Sequence, residues 1–304
     1  MIDKAKLYER DELKRYWKSA FPEAQGESID SYFNVYYKEE DTVVLRNNTG
    51  EIVASAQVRP KVLNLGGKKL RVSYISNVMT RPEFQGKGYM TKLLKGILKE
   101  TSRDNIITLL KPFEPHVFRR LGFENVIELM EYNIPSSKIP LFNMDGIVLS
   151  PSNENLLEVY QKFTQYFDGY FQRDLEYYES LRTYLNYKKG NVIALKEGDD
   201  TIGYCVYLNH ATHVEILECA YDTSGTLIKL MSFVARGKNR VLLKASTQEK
   251  IHKLFPQVIK SKQPFLMAYI NDKALFERLY DIRILSAYSA FNISEKPKFN
   301  RDFQ

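Results

Sequence analysis

The sequence predicts an α/β chain of the α+β type, built as two similar units in tandem. Segments of helical and strand periodicity alternate along all 304 residues, and their order repeats after a stretch rich in Ser, Pro and Asn at 136–155. One strand also passes into a helix through a glycine turn. The first unit is expected at 1–138, the linker at 139–155 and the second unit at 156–304.

Residues 7–21 place Leu7, Leu13, Tyr16, Trp17, Ala20 and Phe21 at helical spacing among charges, and 28–37 read as a second helix. Residues 41–46 and 51–59 flank Asn47-Asn48-Thr49-Gly50, a hairpin signal. Gly66-Gly67 then turns the chain into a strand at 69–80, which stops short of Arg81-Pro82. A helix at 89–102, a strand at 106–110, a short helix at 115–121 closing on Gly122 and a strand at 126–134 complete the first set. The second set repeats it: helices at 154–167 and 174–187, a hairpin of 191–196 with 201–208, a strand at 213–221, a helix at 226–236, strands at 241–245 and 265–270, and a helix at 272–280. So long a period points to a duplicated unit and not to a solenoid.

Composition narrows the function. The net charge of +7 is the balance of 44 basic and 37 acidic side chains spread through the chain, which favours an anionic small ligand over nucleic acid. Cys205 and Cys219 sit in apolar strand-like runs as reduced core thiols. His210 and His213 are close in sequence, but without further ligands they read as ordinary polar residues, so no metal is expected. No segment approaches the roughly 20 apolar residues of a membrane helix, and the N-terminus has no apolar signal core. A cytoplasmic protein is expected, without membrane or nucleic-acid partners; the choice between monomer and homo-oligomer stays open.

The informative run is Asn77-Val78-Met79-Thr80-Arg81-Pro82-Glu83-Phe84-Gln85-Gly86-Lys87-Gly88-Tyr89-Met90-Thr91. Backbone N–H groups in such a turn, with the free N–H groups and positive end of the new helix, can converge on a phosphate. Glycine permits close approach and positive φ. The run is neither G-x-x-x-x-G-K-[ST] nor G-x-G-x-x-G, which disfavours nucleotide triphosphates and dinucleotides. Gly-Lys-Gly also fits a tight crossover turn that binds nothing.

These residues resemble the pyrophosphate turn of the GNAT superfamily of acyl-coenzyme A N-acyltransferases, [Q/R]-x-x-G-x-[G/A], with Gln85 and Gly88 matching and Met90 departing. The lead-in, Leu110-Lys111-Pro112-Phe113, Phe118-Arg119-Arg120-Leu121-Gly122-Phe123, and Gly169 with Arg173-Asp174-Leu175-Glu176-Tyr177-Tyr178 are similar to the two-domain bacterial branch that includes Eis acetyltransferases. The resemblance implies tandem GNAT folds, each a mixed, mostly antiparallel sheet flanked by helices. It implies transfer of an acetyl group from acetyl-coenzyme A, as co-substrate, directly to a primary amine: a polyamine, an aminoglycoside-like compound or a lysine side chain. Backbone groups of Val78, Met79 and Thr80 would align the pantetheine arm, and Gln85, Gly86, Lys87, Gly88, Tyr89, Met90 and Thr91 would hold the pyrophosphate. The second unit has only Thr223-Ser224-Gly225-Thr226 at the matching place and is expected to be degenerate, without coenzyme. The branch's sterol-carrier-like third domain is expected to be absent or vestigial.

For catalysis the resemblance implies a tyrosine acid where this chain has Phe118. His116 and Glu114 are the remaining candidates for proton transfer. Some relatives use their terminal carboxylate, which here would be that of Gln304. Phe118 motivates the alternative of a non-catalytic acyl-coenzyme A-binding or regulatory protein. Tyr177, Tyr178, Tyr184 and Tyr187 recur at helical spacing and read as packing rather than as a substrate wall.

Overall fold

Hydrophobic stripes at helical spacing and alternating β-branched runs sort the chain into helices and strands close to the expected places. The structure is a computed structural model that describes residues 1–22 and 26–302; Gln304 lies outside the described residues. In chain order the elements are β1 (Ile2–Lys4), α1 (Arg10–Ala20), α2 (Gly26–Val35), β2 (Thr42–Arg46), β3 (Ile52–Leu65), β4 (Lys68–Thr80), α3 (Tyr89–Thr101), β5 (Ile107–Leu110), α4 (Pro115–Arg119) and β6 (Glu124–Pro135). There follow β7 (Ile147–Val148), α5 (Asn153–Thr164), β8 (Tyr170–Phe171), α6 (Leu175–Tyr187), β9 (Gly190–Glu197), β10 (Asp200–Asn209), β11 (His213–Tyr221) and α7 (Ser224–Val234). The last are β12 (Arg240–Ser246), α8 (Ile251–Leu254), β13 (Ile259–Ile270), α9 (Lys273–Tyr280) and α10 (Ala287–Phe291).

Two compact units result. One joins Met1–Ile127 to Pro264–Ser294, and the other joins Glu128–Gln263 to the described part of Glu295–Phe303. The sheet of the first runs β1, β2, β3, β4, β5 and then residues 267–270 of β13. Among the described residues only β4 and β5 are parallel in it. Leu93, Leu94 and Ile97 of α3 and Phe118 of α4 pack on one face, against Val43, Leu45, Val53, Ala54, Ile75 and Val78. Leu13 and Trp17 of α1 and Ile29 and Phe33 of α2 cover the other, with Val44, Ile52 and Met79.

The second unit repeats the plan. Residues 129–135 of β6 pair with β12, followed by β11, β10, β9 and β7, and among the described residues only β11 and β12 run parallel in this order. Its α7 face buries Leu227, Leu230 and Met231, and its α5/α6 face buries Tyr160, Phe163, Tyr178 and Leu181. Each unit therefore takes a strand from the other half of the sequence, so the compact units do not follow a cut at 139–155. A strand's place is set by its ladder partner, which its own alternation does not encode.

Candidate active site

In the first unit β4 lies antiparallel to β3 along its length but pairs with β5 only at Ser73, Tyr74 and Ile75, opposite Thr108, Leu109 and Leu110. The Lys111 N–H donates to the Ile75 carbonyl at 3.1 Å, and there the two strands part. A bulge accompanies the split. Ser55 faces Met79 and Gln57 faces Ser76, so Asn77 and Val78 share one residue of β3. Asn77 has φ 50°, a left-handed conformation that asparagine tolerates better than most residues. Because the Arg81 N–H donates to the Val53 carbonyl at 3.1 Å, alternation turns Met79 toward β3 and directs the Val78 and Thr80 backbone to the open edge. The Thr80 hydroxyl is buried there with no hydrogen-bond partner among the described residues.

Arg81 fixes the exit from the strand. Its guanidinium pairs with Glu51 and Glu83, donates to the Ile52 carbonyl at 3.1 Å and lies 4.1 Å over the Tyr16 ring. Burial and the neighbouring Glu12 push the Tyr16 phenol up to about 12. A short 3₁₀ turn, Pro82–Phe84, leads into the glycines. The Gln85 amide donates to the Thr80 carbonyl at 3.2 Å, while the Lys87 ammonium turns back to the Glu83 carbonyl at 3.0 Å. Gly86 and Gly88 adopt φ 71° and 78°, a region that costs other residues about 1–2 kcal/mol. A Cβ added to either would meet no atom within 4 Å. The cradle is thus open, and among the described residues no packing requires these glycines.

Helix α3 begins directly on Gly88, which offers no side-chain cap, and its first turn carries no acidic residue. The Lys92 N–H donates to the Gly88 carbonyl at 3.0 Å, which leaves the N–H groups of Tyr89, Met90 and Thr91 unclaimed by the helix. With the positive end of the helix dipole they form an anion site of main-chain donors. Open glycine cradle, free N–H groups and unpaired strand edge together fit a pyrophosphate continued by an extended arm.

The proton-transfer candidates lie otherwise. Phe118 is fully buried and stacks edge-to-face on Phe113, with ring centres 5.6 Å apart. His116 and Glu114 are largely exposed, at 65% and 56% of their side chains, and face each other at 3.6 Å. Sequence reasoning missed Arg81, Asn77 and a polar cluster on the α1/α2 face made by Tyr32, Arg59 and Ser76. The alternation of Ser55, Gln57 and Arg59 in an otherwise apolar strand was the available signal.

The second unit has the same split with different contents. β11 pairs with β12 only from His213 to Ile216, and Leu217 bulges. Helix α7 starts under a Thr223 cap, whose hydroxyl accepts from the Thr226 N–H at 3.2 Å. Arg301 reaches into the split. It donates to the carbonyls of Leu217 and Lys244, one on each side, and lies 3.5 Å from Glu249. Beside it the Arg173 guanidinium makes paired hydrogen bonds of 2.7 and 2.8 Å to Glu218, both side chains being almost wholly buried. Burial opposes the charge on Arg173, but Glu218 keeps its pKa above the ordinary value.

Tyr177 and Tyr178 are buried in the second unit's core, whereas Tyr187 is exposed. Cys205 and Cys219 are buried free thiols opposite each other on β10 and β11. The His210 and His213 rings stack at 4.3 Å, and among the described residues no group of three or more His, Cys, Asp or Glu could hold a metal ion. Among those residues no helix is long and apolar enough to cross a membrane.

Residues 1–126 match the family model described as an acetyltransferase (GNAT) domain. No curated protein sequence matches the chain. Among solved structures it is similar to a GCN5-related N-acetyltransferase from Anabaena variabilis, at TM-score 0.76 and 20% identity over 90% of this chain and 73% of that one. It is similar to Eis1 from Mycobacterium abscessus, at TM-score 0.68 and 14% identity, over 91% and 75% of the two chains. It is also similar to Saccharomyces cerevisiae N-myristoyltransferase with bound myristoyl-CoA, at 0.61 and 11%, over 89% and 82%. The first 126 residues are therefore a GNAT acetyltransferase domain. That is an acyltransferase domain, whose general chemistry is acyl transfer from an acyl-coenzyme A to an amine, and the α/β fold resembles that of Eis.

Proposed function

We propose that the protein is an N-acetyltransferase that moves an acetyl group from acetyl-coenzyme A directly to a primary amine, on a small molecule such as a polyamine or an aminoglycoside-like compound or on a lysine side chain. The observation that carries this reading is the glycine turn opening α3 at the foot of the unpaired edge of β4. The N–H groups of residues 86–91 and the Thr91 hydroxyl hold the pyrophosphate. The Val78 and Thr80 backbone lines the pantetheine arm and supplies an oxyanion-type donor beside the reacting carbonyl. When bound, acetyl-coenzyme A supplies the activated acyl carbon. The chain's own contribution is alignment, which converts an encounter of two molecules into a reaction within one site.

The buried ring of Phe118 favours a second reading, in which the chain binds an acyl-coenzyme A without turning it over. Thiol release from acetyl-coenzyme A with spermidine, kanamycin and a lysine peptide, run beside calorimetry, separates the two. Release with any of these amines supports the transferase. Tight binding with no release on all of them supports the binding protein.

A further inference from the structure

Where β4 leaves β5, the first residues beyond the last pair are Ser76 and Asn77, and a tyrosine from α2 reaches both. The Tyr32 hydroxyl lies within hydrogen-bonding reach of the Ser76 and Asn77 side chains. It also accepts a 2.7 Å hydrogen bond from Nη2 of Arg59. Arg59 is itself buried, 6% exposed, and is held by the Tyr36 carbonyl and by Asp41 at 3.4 Å. Its Nη1 has no partner among the described residues. The Tyr32 ring packs against Trp17 and Tyr36, with ring centres 5.3 and 5.9 Å away.

We propose that the Tyr32 hydroxyl is the proton donor to the departing coenzyme sulfur, in the role that Phe118 cannot fill. The proposal rests on the coenzyme reading above. An Arg59 N–H occupies one acceptor position on the Tyr32 oxygen, and the Ser76 and Asn77 side chains that the hydroxyl also reaches stand where β4 parts from β5. As the amine nitrogen bonds to the carbonyl carbon and the carbon–sulfur bond breaks, Tyr32 gives its proton to the sulfur, which keeps the bonding electron pair. The tyrosinate, held by the Arg59 charge, takes a proton back from the newly acylated nitrogen. No other reactant is needed. Burial holds the Tyr32 phenol above its ordinary pKa, with Arg59 working against that shift, so the hydroxyl enters the reaction protonated.

The test compares coenzyme A with desulfo-coenzyme A, which lacks the sulfur, by calorimetry on the full chain and on Tyr32→Phe, with melting curves to establish that the variant folds. The expected result is that Tyr32→Phe weakens coenzyme A binding about 3- to 10-fold, the worth of one hydrogen bond, and leaves desulfo-coenzyme A within about twofold. Equal loss for both ligands, or no loss for coenzyme A, overturns the proposal. If neither ligand binds the unaltered chain, the coenzyme reading itself fails and this proposal with it.

Discussion

The molecule carries the same device twice, and only one copy is open. In both units a parallel pair of strands separates after a few residues, at Ile75 in one and at Ile216 in the other, and a bulge bends the longer strand at the split. In the first unit the separated edge leads to two glycines at positive φ and a helix without a side-chain cap. In the second the helix is capped by Thr223, and Arg301 of the C-terminal segment bridges the two sides of the split. The difference teaches that the same strand geometry can carry different contents. On the coenzyme reading proposed above, the first unit's free main-chain donors would serve the ligand, whereas in the second the Thr223 cap and Arg301 take the corresponding places.

Destroying the cradle is the strongest way to break this contrast. Gly88→Glu forces a side chain into a left-handed backbone and sets a carboxylate where a phosphate would sit. It should lower acetyl-coenzyme A affinity by more than about 100-fold, roughly 2.7 kcal/mol, in calorimetry. Melting should register only the strain of about 1–2 kcal/mol.

The filled split is tested through stability and not through affinity. Arg173→Met leaves Glu218 buried without its partner and should cost about 3–5 kcal/mol in denaturant unfolding. Coenzyme binding by the fraction that remains folded should be unchanged, because the proposed site lies in the first unit.

Phe118→Tyr sharpens the question of the missing acid. The ring is fully buried in the first unit's core, so an added hydroxyl without a partner should cost about 1–3 kcal/mol of stability and bring no gain in turnover. A clear gain would mean that the hydroxyl reaches the reacting sulfur.

The smallest effect concerns Glu249, whose carboxyl burial raises above the ordinary 4.5, with Arg301 only partly opposing. The folded chain then holds this proton more tightly than the unfolded chain. The contribution is fully favourable below the unfolded value and falls as pH rises through the window up to the raised folded value. Glu249→Gln should flatten that part of the melting-temperature profile.

Much of this fold is legible in local sequence pattern. The hairpin about Asn47 to Gly50, the strand ending at Thr80, the helix opening at Tyr89 and the loss of the turn glycines from the second unit all follow from it. The pairing of β6 with β12 and of β13 with β5 does not, because register depends on partners far away in sequence. No local pattern marks the C-terminal run Lys298-Phe299-Asn300-Arg301-Asp302 as core, yet all five residues are buried, with charges met by groups such as Asp168, Glu249 and the carbonyl of Lys244. A buried charge becomes intelligible only once its partner is located. Tyr32 and Arg59 are hidden for the same reason: each reads as an ordinary residue of its element until the packing of α2 on the sheet brings their side chains within hydrogen-bonding distance.

One split is open and the other filled, and a calorimetric titration of the whole chain with acetyl-coenzyme A tests that claim most directly. One equivalent should bind per chain; two equivalents, or one that survives Gly88→Glu undiminished, would contradict it.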